Sequence, residues 1–252
     1  MTKFEIKYEP QSLNDIVYPD PVIEQQIAAI GNGGCEDHIL LYGPHGTGKT
    51  TAVKLMFEAR YGCSYQMGNY YSGSDMAAIT VAKVAIDRMA NFLPFQRTMP
   101  AGCVIVIDEV DMIPLTAQKY LRNFMQTFPH VRFMFTTNHE TSVYTGIRSV
   151  CRLVELSLPS PKLWLPRAQH ILQAEGVQLP DANVLNMLSG VTGSARDVCR
   201  LLQDVILARK AGNGVRNVVT ALPPSSAVPP ASLTVIVTPP QQQVAPSAPP
   251  TP

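Results

Sequence analysis

The stretch Gly43-Pro44-His45-Gly46-Thr47-Gly48-Lys49-Thr50 has the spacing G-x-x-x-x-G-K-[ST]. A glycine-rich turn of this kind points several backbone N–H groups at a phosphate. In that pattern Lys49 reaches the β- and γ-phosphate oxygens, and the Thr50 hydroxyl meets Mg²⁺. Further along, Asp108-Glu109 follows the β-branched run Val104-Ile105-Val106-Ile107. Asp108, at the strand end, suits Mg²⁺, directly or through water. Glu109, one residue on, is placed to polarise an attacking water. An acidic pair after a strand is also an ordinary helix-capping turn, and the upstream glycine loop favours the chemical role. Asn138 ends another apolar run, over 131–137, where it either points at the γ-phosphate or serves a turn. Together these residues point to binding and hydrolysis of ATP with Mg²⁺.

The chemistry needs elements that hold it. His38-Ile39-Leu40-Leu41-Tyr42 reads as a strand before the glycine loop, and 51–60 carries apolar residues at helical spacing after it. The helix N-terminus adds partial positive charge at the phosphate. A helix over 22–30 is expected earlier, with Asp20 as cap and Pro21 at its first position. Ser64-Tyr65-Gln66-Met67 reads as a short strand, followed by a polar, aromatic loop over 68–75. Ser74 or Asp75 is the expected cap of a helix carrying Ile79 to Phe92. Phe92 and Phe95 read as a satellite core cluster, with an exposed partner contact as the alternative. The apolar run before Asp108 suits a central parallel strand, whose C-terminal end is where open α/β sheets bind ligands. A helix over 116–125 buries Leu121, Phe124 and Met125, and its Lys119 and Arg122 share a solvated face. A last short strand is expected over 153–156. Three helices follow, near 161–175, 181–189 and 195–211, with Ser160, Asp181 and Ser194 as caps.

Three regions result: an α/β nucleotide-binding domain over 1–158, an α-helical lid over 159–212 and a Pro-rich tail over 213–252. The tail's composition does not suit a packed core. Leu233-Thr234-Val235-Ile236-Val237 within it is strand-prone. Of 252 residues 15% are charged and the net charge is +1, so nucleic-acid binding would need a local patch or assembly with other chains. The five cysteines are far apart, without metal spacing. A reduced compartment fits them, cytoplasmic or nuclear rather than secreted. The start lacks a signal-peptide pattern, and no apolar run is long enough for a membrane.

From about residue 4 to 209 the chain resembles the AAA+ ATPases of the clamp-loader family, the replication factor C small subunits and their bacterial and phage counterparts. Lys7-Tyr8-Glu9-Pro10 with Asp15-Ile16-Val17 is similar to the family's Lys-Tyr-Arg-Pro and Asp-Ile-Val opening, with Glu9 in place of Arg. Residues 41–51, through Thr51, resemble its P-loop with one substitution, at His45. Ile107-Asp108-Glu109-Val110-Asp111, then Ala117-Gln118 and Leu121-Arg122, resemble its Walker B strand and following helix. Thr137-Asn138 sits at sensor 1, and Gly193-Ser194-Ala195-Arg196 resembles sensor 2. The resemblance implies a five-stranded parallel sheet with a three-helix lid. It implies that Tyr8, Ile16 and Val17 wall the adenine and that Arg196 approaches the γ-phosphate. It also implies a motor subunit that works with other AAA+ subunits, a sliding clamp and primer–template DNA. DNA contacts are expected around Ser74, Lys83, Thr116 and Lys119, and a clamp contact at 92–95.

Two departures bear on this. The family's Ser-Arg-Cys motif, whose Arg reaches a neighbour's ATP, here reads Ser149-Val150-Cys151. Arg148 serves as that finger if the loop shifts by a residue; otherwise the subunit cannot complete its neighbour's site. The family continues into a helical collar where this sequence reads as a Pro-rich tail, so either the collar lies outside this sequence or assembly relies on other contacts. A stand-alone AAA+ switch of the helicase-loader or transposition type, and a scaffold that binds ATP without hydrolysing it, are the competing readings.

Overall fold

Side chains alternate across a strand, so each strand residue is assigned to one face of its sheet. The computed structural model describes residues 3–65, 68–98, 103–191 and 194–211. Its strands are β1 (His38–Tyr42), β2 (Tyr70–Ser72), β3 (Val104–Asp108), β4 (Arg132–Thr137) and β5 (Cys151–Glu155). They form one parallel sheet in the order β2-β3-β4-β1-β5. In β3, Ile105 and Ile107 join Leu40, Phe133 and Phe135 in one buried cluster. Val104 and Val106 join Ile39, Leu41 and Met134 in another, on the opposite face. An apolar run buried on both sides is what places β3 inside the sheet.

The helices are α1 (Lys3–Lys7), α2 (Pro21–Gly31), α3 (Lys49–Tyr61), α4 (Ile79–Gln96), α5 (Leu115–Thr127), α6 (Thr145–Arg148), α7 (Pro161–Ala174), α8 (Asp181–Ser189) and α9 (Ala195–Lys210). Helices α2 and α3 cover one face of the sheet, through Ile27, Ile30, Val53 and Phe57. Helices α4 and α5 cover the other, through Ile86, Met89, Leu121 and Phe124. Helices α7 to α9 close on a separate cluster that includes Ile171, Leu172, Val184, Leu188, Leu201, Leu202 and Val205. Each such side chain contributes about 1.5–3 kcal/mol by leaving water. The expected α/β fold with a five-stranded parallel sheet, followed by helices, is the observed one.

Asp20 caps α2, its carboxylate accepting from the Val22 N–H at 2.6 Å, with Pro21 at the first position. Several local expectations are corrected. The strand expected at 64–67 is instead β2, inside the stretch read as a loop; Gln66 and Met67 lie outside the described residues. Buried Asn69 sets its start: its amide donates to the Val104 carbonyl at 2.5 Å, and its own carbonyl accepts from Val106 at 2.6 Å. The β3 ladder thus recruits a segment with little apolar alternation of its own. Neither Ser74 nor Asp75 caps α4, because both lie in a separate 3₁₀ turn and Ala78 occupies the cap position. Asp181 is the first residue of α8, not its cap, and its carboxylate accepts from Gln169 at 2.9 Å.

Phe92 and Phe95 do not form a satellite core. Phe95 is 54% exposed, and between them Leu93 takes the buried position. Arg122 is not merely solvated: its Nε donates to the Gly146 carbonyl at 2.8 Å. Beside it, buried Gln118 donates to the Ile113 carbonyl at 2.8 Å and accepts from the Tyr144 N–H at 2.6 Å. The α5 pattern that carried part of the resemblance therefore fastens the connection from β4 to β5. The last strand covers 151–155, not 153–156. The tail readings, including 233–237, fall outside the described residues.

Candidate nucleotide site

The C-terminal ends of β1, β3 and β4 meet at one edge of the sheet. The glycine loop leaves β1 there and enters α3 at Lys49. Gly43, at φ 142°, lies against the Leu156 carbonyl, where an added Cβ would stand 2.2 Å from the oxygen. Gly46, at φ 74°, lies against Ser194, where a Cβ would come within 2.6 Å of that side chain. The Gly46 carbonyl also accepts from the Ala195 N–H at 3.0 Å, so the start of α9 sits on the loop. Ser194 and Asp197 form a capping box there. The cap expectation for Ser194 thus holds, while Gly193 lies outside the described residues.

Lys49 is buried, and its ammonium donates to the Gly43 and Pro44 carbonyls at 2.9 and 2.7 Å. Burial pushes its pKa down to about 8, against the opposing pull of Asp108, Asp111 and Glu109. Arg196 adds to the lowering, so the start of α9 brings a second cation to the same field. A buried ammonium held below its ordinary range gains from an incoming anion.

The Thr50 hydroxyl donates to both oxygens of Asp108, at 3.0 and 3.1 Å. Asp108 also accepts from Thr136 and, at 3.3 Å, from the Tyr70 hydroxyl. A hydroxyl beside a carboxylate is a hard-oxygen pair that fits Mg²⁺. Among the described residues no group of three or more His, Cys, Asp and Glu could hold a metal ion. An ion at Asp108 would therefore share its ligands with phosphate oxygens and water.

Glu109 is the one non-glycine residue at positive φ among those described, at 55°. Such backbone is costly outside glycine, and it turns the side chain away from the line of β3. Two contacts hold it: the Glu109 N–H donates to Thr136 Oγ1 at 2.9 Å, and its carboxylate accepts from the Ser74 hydroxyl at 2.7 Å. Asn138 follows directly on β4, half-buried beside this edge. Sequence reasoning missed Thr136 and Tyr70 here and assigned Ser74 elsewhere. Polar residues within a strand that ends at the loop were the available signal.

Tyr8, Ile16, Val17, Thr51, Trp164 and Arg196 line a cavity of about 140 Å³ that continues to Gly46, Thr47 and Gly48. The structure thus brings the opening segment, the glycine loop and α9 to one cleft. A roomier cleft that shares Ile16 and Val17 with it is lined by Asp15, Asp20, Glu24 and His170. It carries none of the glycine loop, whereas the smaller cavity continues into it. His45 is exposed, its ring 6.1 Å from that of His139.

Arg148 pairs with Glu140 of its own chain, and its Nε is buried without a hydrogen-bond partner. Val150 packs against the core cluster below α4 and α5. Lys83 and Lys119 are exposed, and each ammonium lies over a tyrosine ring, Tyr120 at 5.9 Å and Tyr144 at 5.8 Å. Thr116 is exposed in the first turn of α5.

Residues 39–157 match the family described as "ATPase family associated with various cellular activities (AAA)". The matched stretch runs from β1 through β5 and carries the glycine loop and Asp108-Glu109. Among curated relatives is replication factor C small subunit 1 of Pyrobaculum arsenaticum. It is 28% identical over 230 residues, covering 88% of this chain and 68% of the relative. Probable replication factor C subunit 2 of Dictyostelium discoideum is 29% identical, covering 84% and 61% respectively. Replication factor C subunit 5 of Homo sapiens is 26% identical, covering 80% and 59%. The clamp-loader resemblance read from the opening segment and α5 therefore holds, while the last two relatives extend well beyond the matched region. Among solved structures, the Thermotoga maritima RuvB Holliday junction branch migration motor superposes with a TM-score of 0.64. At 18% identity over 84% of this chain and 71% of that one, it supports the fold alone.

Proposed function

We propose that the chain is an ATP-hydrolysing motor subunit of a DNA replication clamp loader. The observation that carries the chemistry is the Thr50–Asp108 contact at 3.0 Å, beside buried Lys49 and the Ser74-held Glu109. ATP binds with its phosphates on 43–51 and its base between Tyr8, Ile16 and Val17. Thr50 and Asp108 would hold Mg²⁺, which would neutralise charge on the phosphate oxygens. Glu109 takes the proton of the attacking water, and Asn138 and Arg196 face the γ-phosphate. The division into an α/β domain over 1–158 and a lid over 159–212 fits the separate cluster of α7 to α9.

The work done is the opening of a sliding clamp and its placement on primer–template DNA, with other AAA+ subunits. The names of the replication factor C relatives support it. Lys83, Thr116 and Lys119 are the DNA-facing candidates, and exposed Phe95 is the clamp-facing one. Arg148, paired in its own chain with Glu140, serves a neighbour's site only after that pair opens. A different subunit supplying the finger is the arrangement this pairing favours. A cytoplasmic or nuclear setting goes with the role, and among the described residues no helix is long and apolar enough to cross a membrane. The test is steady-state ATP turnover with candidate neighbouring subunits present. Stimulation by a sliding clamp plus primed DNA beyond that by DNA alone is expected. Stimulation by DNA alone to the same level would support a stand-alone switch instead.

A further inference from the structure

We infer that Glu175 is a positioning residue for nucleotide binding, which from the end of α7 fixes the Tyr8 ring in the wall of the base cleft. The inference rests on the reading of that cleft as the adenine site. Helix α1 has five residues and is too short to hold its own geometry, so tertiary contacts must place Tyr8, which directly follows it. The Tyr8 hydroxyl donates to Glu175 Oε1 at 2.8 Å. Lys7 donates to the same oxygen at 2.6 Å, and Lys210, the last residue of α9, donates to Oε2 at 2.7 Å. Glu175 itself is only 13% exposed.

The two lysines are more than half exposed. Such ammonium groups gain little from any one partner, because water and salt screen them. The phenol is different. Its ring is buried among Trp164, Ile171 and their neighbours, and Glu175 is the acceptor for its hydroxyl. At the other end of the residue, Arg167 of α7 donates to the Tyr8 carbonyl at 3.1 Å. The same guanidinium lies 3.6 Å from Asp15, beside Ile16 and Val17. Helix α7 and its end thus grip the cleft wall at three points, and Glu175 is the one that sets the angle of the aromatic ring.

The test measures binding of Mg-ATP and of Mg-tripolyphosphate, which has no base, to the full chain. Glu175→Gln keeps the size and removes the charge; Tyr8→Phe keeps the ring and removes the hydroxyl. Each is expected to raise the Kd of ATP about five- to tenfold, within the range of one ordinary intramolecular hydrogen bond. Tripolyphosphate binding should change by less than about twofold. The double variant should lose no more than either single one. An ATP affinity unmoved by Glu175→Gln but lowered by Tyr8→Ala would overturn the positioning role and leave the base site standing. An ATP affinity unmoved by Tyr8→Ala would remove the base site itself. Equal losses for both ligands, or additive losses in the double variant, would also overturn the positioning role.

Discussion

The edge of the sheet and the cluster around Glu175 treat a half-hidden charge in opposite ways. At the sheet edge Lys49 is buried, donates to the Gly43 and Pro44 carbonyls, and has its pKa held down at about 8. Around Glu175 three donors converge on one carboxylate, and hydrogen bonds from Lys210, Lys7 and Tyr8 hold its pKa down at about 2. The first charge is under-compensated and gains when an anion arrives; the second is already satisfied. A strained cation marks where a ligand belongs, and a satisfied carboxylate marks a fastening. The contrast points to ligand binding at the sheet edge and to positioning around Glu175.

The largest effect on ATP binding should come from removing the under-compensated charge. Lys49→Ala should raise the Kd of ATP on the order of 100-fold, since charge-assisted contacts to phosphate are lost. Titration calorimetry of the two proteins reads this directly. The wild-type ammonium should also report its ligand through protons. Burial lowers the Lys49 pKa to about 8 in the folded chain, whereas the unfolded value is ordinary. Between these values the unfolded chain binds more protons, so this group makes folding more favourable as pH rises through that window. A phosphate beside the amine restores its charge, so ATP binding near pH 8.5 should take up protons. Calorimetry in two buffers of different ionisation enthalpy measures that uptake, and Lys49→Ala should abolish it.

Effects on the fastenings should be smaller. Ser194→Ala removes one side of the α9 capping box and should cost about 0.5–1 kcal/mol of stability, read by urea unfolding. Smaller still is the acid response of Glu175. Its folded pKa lies below the unfolded one, so its stabilisation is present above the ordinary carboxylate range and is lost as pH falls toward about 2. The difference in melting temperature between wild type and Glu175→Gln should therefore shrink from pH 5 toward pH 2.

The same contrast explains what the sequence made readable. The phosphate loop needs its glycines, Lys49 and Thr50 within one turn, so the spacing spells out the site. Asp108 sits at the end of an apolar run that can only be a central strand. Contacts between distant positions leave no such pattern. Ser74 reaches Glu109, Thr136 reaches Asp108, and Tyr8 reaches Glu175 across 167 residues. Strand β2 was missed because its ladder partner, not its own composition, makes it a strand. Phe95 was read as core because hydrophobicity alone does not say which face of a helix it takes; Leu93 and Gln96 take the buried positions on either side.

The central claim is that Glu109, turned by its left-handed backbone and held by Ser74, performs the hydrolytic step. Single-turnover ATP hydrolysis by wild type and Glu109→Gln, with ATP binding measured in parallel, tests it most directly. The expected result is unchanged ATP affinity with hydrolysis slowed about 10²–10⁴-fold, the range for a lost general base. Equal hydrolysis rates in the two proteins would contradict the account.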